Sequence, residues 1–104
     1  MNWAVNQNVL EICSYSLVCG TEEKQFVQAA ARATRSMRAQ RGFLARSVAK
    51  ADDGSWTEIV HWLDRRSADS AADRIPKTPD AAAYYALIDK PSFRRGVYPV
   101  ACSG

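Results

Sequence analysis

Two stretches of the chain alternate between side-chain types with a period of two, the pattern of a strand with one covered face. Between Asn8 and Val18, Glu11, Cys13, Tyr15 and Leu17 share one face, and Leu10, Ile12, Ser14, Ser16 and Val18 the other. Between Ser55 and Leu63, Trp56, Glu58, Val60 and Trp62 face one way, and Thr57, Ile59, His61 and Leu63 the other. Strand two is expected over Phe43–Ala51, because Asp52-Asp53-Gly54-Ser55 is a hairpin signal that joins it antiparallel to strand three. Strand four is expected over Ser92–Val100, with Pro99 suited to an edge.

Between these strands the period changes to that of a helix. Phe26, Ala29, Ala30, Ala33 and Met37 form one stripe and predict a helix over Glu22–Gln40. Gly20 breaks the preceding strand, Thr21 is the expected N-cap, and Gly42 suits a left-handed C-terminal cap. A second helix is expected over Ser67–Ile75, capped by Ser67, striped by Ala68, Ala71, Ala72 and Ile75, and stopped by Pro76. A third begins with Thr78 as cap and Pro79 at its first position, and runs to Ile88. Residues 1–7 read as a loose lead-in and the residues after Ala101 as a loose tail.

The resulting order is βαββαβ, an α+β, ferredoxin-like arrangement of two helical segments on a four-stranded antiparallel sheet, in one domain over residues 1–104. One sheet face meets the helices. Either face of strand three is too apolar to be left in water, so the remaining face calls for a second copy of the chain, a symmetric homodimer. The pattern leaves open which face meets the helices.

Composition narrows the function classes. A net charge of +3, with arginines spread along helix one, describes a solvated helix face better than a nucleic-acid surface. Three cysteines with no CxxC pair and a single histidine argue against a disulfide scaffold and a metal site. No apolar run approaches a membrane span, and no leader-like segment opens the sequence. The expected setting is reducing and cytoplasmic, with no membrane partner.

Candidate chemistry gathers on strand three. Two indoles around Glu58 suggest a lined cavity, since a carboxylate is rarely fully buried without a partner. Glu58 is either paired with an arginine from the partner subunit or solvated, or, if dry and unpaired, raised in pKa and usable as a general base. Trp62 either lines the cavity or is core. His61 is a base, a switch, or a hydrogen-bonded rim residue. Ser14 and Ser16 line the cavity from strand one or face a wet interior. One of Tyr84 and Tyr85 is core, while the other, taken as Tyr85, points its hydroxyl inward. Cys13 and Cys19 read as inert.

The ordered set Glu11-Ile12 with Tyr15, Leu17 and Gly20, then Phe26, Gly42-Phe43-Leu44, Trp56-x-Glu58-Ile59-Val60-His61-Trp62 and Ala68 with Ala71-Ala72 resembles the dimeric α+β barrel superfamily. Within it the chain is most similar to the antibiotic-biosynthesis monooxygenase (ABM) branch, over roughly residues 9–100. The resemblance implies a pocket between sheet and helices in which oxygen attacks a substrate without flavin, metal or haem. It also places Trp62 and Glu58 at the family's pocket-lining tryptophan and polar positions. Glu58 stands where the family's best-known enzyme has asparagine. The family's tyrosine after the tryptophan falls near Ala68 or Asp69, and its helix arginine near Tyr85. Cys13 lies near the asparagine position of the haem-degrading relatives.

The expected function is a cofactor-independent oxygenase acting on a small aromatic or polyketide-like molecule. Glu58 and Trp62 are its catalytic residues, and Ser14, Ser16, Trp56, His61 and Tyr85 bind substrate. The alternative is a non-catalytic or stress-related dimer that only holds a ligand.

Overall fold

The structure is a computed structural model that describes residues 7–104, so all but the last residue of the expected lead-in over residues 1–7 lies outside the described residues. Four strands, β1 (Val9–Tyr15), β2 (Phe43–Lys50), β3 (Trp56–Trp62) and β4 (Arg94–Pro99), form one sheet in the order β2-β3-β1-β4. Every neighbouring pair is antiparallel. Helices α1 (Glu23–Arg38), α2 (Arg65–Arg74) and α3 (Pro79–Ala86) cover one face, which gives the expected βαββαβ order with the second helical segment in two pieces.

The side of β3 that meets the helices is the tryptophan side. Trp56, Glu58, Val60 and Trp62 are all buried, together with Val9, Glu11, Cys13 and Tyr15 of β1. Above them pack Phe26, Ala30, Ala33 and Met37 of α1, Ala68 and Ala71 of α2, and Ala81 and Tyr84 of α3. The alanines let the helices lie close to the sheet, and the aromatic rings fill the volume between. Phe26 packs on Trp56 with ring centroids 4.7 Å apart. Tyr15 and Tyr84 share a hydroxyl hydrogen bond of 2.6 Å.

Several element ends differ from the expected ones, each for a local reason. Helix α2 starts at Arg65 because Asp64, not Ser67, is its N-cap: the Asp64 carboxylate accepts from the Ser67 N–H at 2.8 Å. Glu22, not Thr21, sits at the N-cap of α1 and makes no side-chain capping bond. Strand β1 stops at Tyr15 because Lys90–Ser92 forms a 3-10 turn, and the Ser16 N–H is taken by the Ser92 hydroxyl at 2.9 Å. Only an isolated bridge, Leu17 to Ile88, continues the line of the strand.

The expected turn role holds at Gly54, whereas Gly42 takes up the left-handed conformation without capping α1: the helix ends at Arg38 with Ala39 as a right-handed C-cap. Gly54 turns the β2–β3 hairpin at φ 89°, and Gly42 leads into β2 at φ 84°. Gly42 is also pressed against Ser67, so that a Cβ there would collide with the serine side chain.

The other sheet face carries Leu10, Ile12, Thr57, Ile59 and His61 with no helix over it. Ile59, Leu63 and Tyr98 are exposed large hydrophobic side chains.

Candidate active site between the sheet and the second helical segment

A cavity of about 300 Å³ lies between the sheet and the α2–α3 segment. Its floor is Glu11 and Cys13 of β1, Glu58 of β3 and Arg95 of β4. Ala72, Ile75, Pro76, Tyr85 and Ile88 wall it from above, with Met37, Phe93 and Lys90 around them. Strand alternation explains the floor: Cys13 is directly across from Glu58 on one side and from Arg95 on the other, so the three side chains project together.

Both floor carboxylates are partnered within the chain, so the arginine on Glu58 comes from β2 of the same chain and not from a partner subunit. Glu58 Oε2 accepts from Arg46 Nε at 2.8 Å, and both side chains are almost fully buried. Arg46 is further held by the Ala30 carbonyl, by the Thr34 hydroxyl at 3.0 Å, and by the Tyr84 ring 5.1 Å away. Its Nη2 is a buried donor without a hydrogen-bond acceptor among the described residues. Glu11 Oε1 accepts the Trp62 indole N–H at 3.1 Å, while Oε2 accepts from Arg95 Nε. Arg95 also reaches Asp69 of α2 at 3.1 Å, which ties β4 to the helix beside the cavity.

Burial sets the protonation of this floor. It pushes the Glu58 carboxyl above the ordinary carboxylate range; Arg46 pulls the other way without cancelling it, and Glu11 adds to the rise. The Cys13 thiol is pushed up to about 12, by burial first and then by Glu58 and Glu11. Tyr85 is raised by the same burial and by Glu58. Cys13 and Tyr85 therefore enter the cavity as neutral groups at physiological pH, whereas Arg46 and Arg95 stay charged.

Of the residues singled out in the sequence, Glu58 and Tyr85 line the cavity. Trp62 is fully buried behind Glu11 and packs edge-on against Phe43, so it touches the cavity only through the carboxylate that it holds. Trp56 lies beside a second hollow of about 220 Å³ under α1, together with Arg46, Phe26 and Thr34. Ser14 and Ser16 are exposed, and Ser14 pairs with Thr57 and Arg94 on the side of the sheet away from the helices. His61 is on that outer side as well, opposite Leu10 and Ala45, with a buried Nε2 that has no partner among the described residues. The structure thus separates Ser14, Ser16 and His61 from Glu58 by the thickness of the sheet. The physical reason is parity: each belongs to the strand positions opposite in phase to Glu11 and Glu58.

Solved structures share this fold. SnoaB, a cofactor-independent oxygenase from Streptomyces nogalater, superposes with a TM-score of 0.74 over 93% of this chain and 96% of that chain, at 19% identity. A candidate antibiotic biosynthesis monooxygenase from Bordetella bronchiseptica gives 0.69 over 92% and 99%, at 16% identity. A second such protein, from Nitrosomonas europaea, gives 0.68 over 92% of each chain, at 13% identity.

The chain has the βαββαβ α+β fold of these ABM-like structures. No protein-family model matches the sequence, and no curated protein does.

Within this ABM-like fold, sequence reasoning missed four charged groups at the site: Glu11, Arg46, Lys90 and Arg95. Glu11 was legible, since it shares a strand face with Cys13 and Tyr15. Arg46 was not. The pairing of β2 with β3 shifts between Phe43 and Ala45, so phase counted from Phe43 places Arg46 outside, whereas the bulge turns it inward opposite Val60. Among the described residues there is no cluster of three or more metal-ligating side chains, and no helix is long and apolar enough to cross a membrane.

Proposed function

We propose that this ABM-like chain binds a small phenolic aromatic or polyketide-like molecule in the cavity over Glu58 and oxidises it with molecular oxygen. The observation that carries the reading is a largely apolar cavity of about 300 Å³ with a buried carboxyl in its floor, raised in pKa by burial and held by Arg46. A carboxyl so placed can accept a proton from a phenol or an enolisable ring carbon. The resulting anion is electron-rich enough to reduce oxygen directly. In the overall reaction a ring CH₂ becomes a carbonyl: one oxygen atom enters the product, and the other leaves as water with the two hydrogens. The substrate supplies all four electrons, so no other reductant is needed. Arg46 fixes the carboxylate orientation, and Tyr85 offers a neutral hydroxyl. Trp62 acts through Glu11 as a positioning residue.

The same reading includes a homodimer. ABM-family proteins typically dimerise, and the apolar outer sheet face with Ile59, Leu63 and Tyr98 is the surface that a second copy would cover. Three free thiols fit a reducing cytoplasmic setting.

The test is oxygen uptake with anthrone and related hydroxylated polycyclic ketones as probes. One oxygen consumed per quinone formed, with turnover lost in Glu58→Gln while the fold is retained, is the expected result. Turnover unchanged in Glu58→Gln would remove the base. One observation favours a second reading, a binder without turnover: Trp62 is packed away from the cavity rather than presented to a ring. Saturable binding without oxygen uptake would select it.

A further inference from the structure

On the other flank of α2 lies a polar groove of about 460 Å³ that has no part in the proposed oxidation and shares only Leu63 with the proposed dimer face. It is built by the α1–β2 connection (Gln40 and Arg41), by Leu63 and Asp64 ahead of α2, and by Arg66, Ser67, Ser70 and Arg74 on the helix. Three guanidinium groups, Arg41, Arg66 and Arg74, face it, and none makes an ion pair among the described residues. The one carboxylate present, Asp64, is already engaged: it caps α2 through the Ser67 N–H, and this bond, with Arg66 and Arg41 nearby, holds it below the usual range. The helix end is therefore satisfied, and the site stands on the arginines.

Three arginines against one aspartate leave two positive charges unmet in a chain whose whole net charge is +3. The groove therefore presents a local excess of positive charge on one face of α2. The groove is also stiff. Gly42 is pressed on Ser67, and its carbonyl accepts the Leu63 N–H at 2.8 Å, so the connection that carries Arg41 is pinned to the start of α2.

We infer that this groove binds a small molecule through a dianionic phosphoryl group, paired with Arg41, Arg66 and Arg74. The charge matches, since two unmet positive charges meet a phosphate monoester or a pyrophosphate. The residue type matches as well: all three cations are arginine, whose planar fork pairs with phosphoryl oxygens in bidentate fashion. Ser67 and Ser70 supply neutral donors alongside. The volume suits a small metabolite rather than a polymer.

The probes are inorganic pyrophosphate and phenyl phosphate, titrated calorimetrically into the full chain at constant ionic strength. Amide chemical-shift mapping and melting curves accompany each variant. The expected result is one saturable site per chain, with shifts centred on residues 40–42 and 64–74. Arg66→Gln and Arg74→Gln should each weaken binding about tenfold, and Arg66→Lys less than Arg66→Gln. Heat that never saturates, shifts centred elsewhere, or affinity unchanged in both glutamine variants would overturn the assignment. A short DNA duplex that displaces pyrophosphate and binds more tightly at the same salt would also overturn it, in favour of a nucleic-acid surface.

Discussion

The Trp62 indole N–H donates to the Glu11 carboxylate at 3.1 Å, inside a core where Trp62 has no exposed surface. A buried carboxylate oxygen that loses a donor carries an uncompensated desolvation cost of about 1–3 kcal/mol. Trp62→Phe retains an aromatic ring but deletes that donor. It should lower the unfolding free energy by about 2 kcal/mol in urea melts, with the slope unchanged. A neutral Trp62→Phe would show that Arg95 alone satisfies Glu11.

Arg46 and Glu58 form the deepest ion pair among the described residues, with side-chain exposures of 4% and 6%. Breaking such a pair from one side leaves a buried charge and costs about 3–5 kcal/mol. Arg46→Met should therefore be severely destabilising. Removing both charges together, Arg46→Met with Glu58→Leu, should recover most of the loss, because the Coulombic gain of a buried pair is offset by its desolvation. Equal losses in the single and double variants, read by thermal melts, would mean that the Arg46 contacts to Ala30 and Thr34 dominate instead.

The pH dependence has two windows. Burial raises Glu58 above its value of 4.5, so the folded chain holds that proton more tightly than the unfolded chain does. The stability so gained is complete below 4.5 and declines as pH rises through the raised value. Wild type measured against Glu58→Gln should thus lose relative stability from about pH 4.5 upward, and a flat difference between acid and neutral pH would contradict this.

At the alkaline end, Cys13, Tyr15, Tyr84 and Tyr85 are all raised, chiefly by burial. The Cys13 contribution is complete below the ordinary thiol value of 9.0 and is lost as pH rises toward about 12, while that of the tyrosines is complete below the ordinary phenol value of 10.0 and declines only above it. Phenolate absorbance from these three tyrosines should appear only together with unfolding. In native protein at neutral pH, exposed Cys19 and Cys102 should react with a thiol reagent, and Cys13 only after denaturant is added. Prompt reaction of all three thiols would contradict the burial of Cys13.

The uncovered sheet face gives a prediction about assembly. Ile59 and Tyr98 lie on it with 37% and 53% of their surface exposed. Tyr98 lies across Gly96, whose missing side chain leaves room for the ring. Ile59→Glu should convert a dimer to a monomer in light scattering, while helix content is kept. A wild-type chain that is monomeric at micromolar concentration would end the dimer reading.

The strand and helix order, the hairpin at Gly54 and the alanine stripe of α1 followed from the sequence alone, because each depends on periodicity or on a turn that demands a particular residue. The same holds for the common face of Trp56, Glu58 and Trp62, which a two-residue period fixes whatever lies above it. Tertiary structure decided the rest. Which face of β3 meets the helices depends on the crossover connections, so His61, Ser14 and Ser16 could not be excluded from the site until the sheet was assembled. The partner of Glu58 depends on a bulge that shifts the phase of β2, and neighbours along the chain give no sign of it. The convergence of Glu11, Cys13, Glu58 and Arg95 brings together three strands that are distant in sequence, through pairing that only the folded sheet supplies.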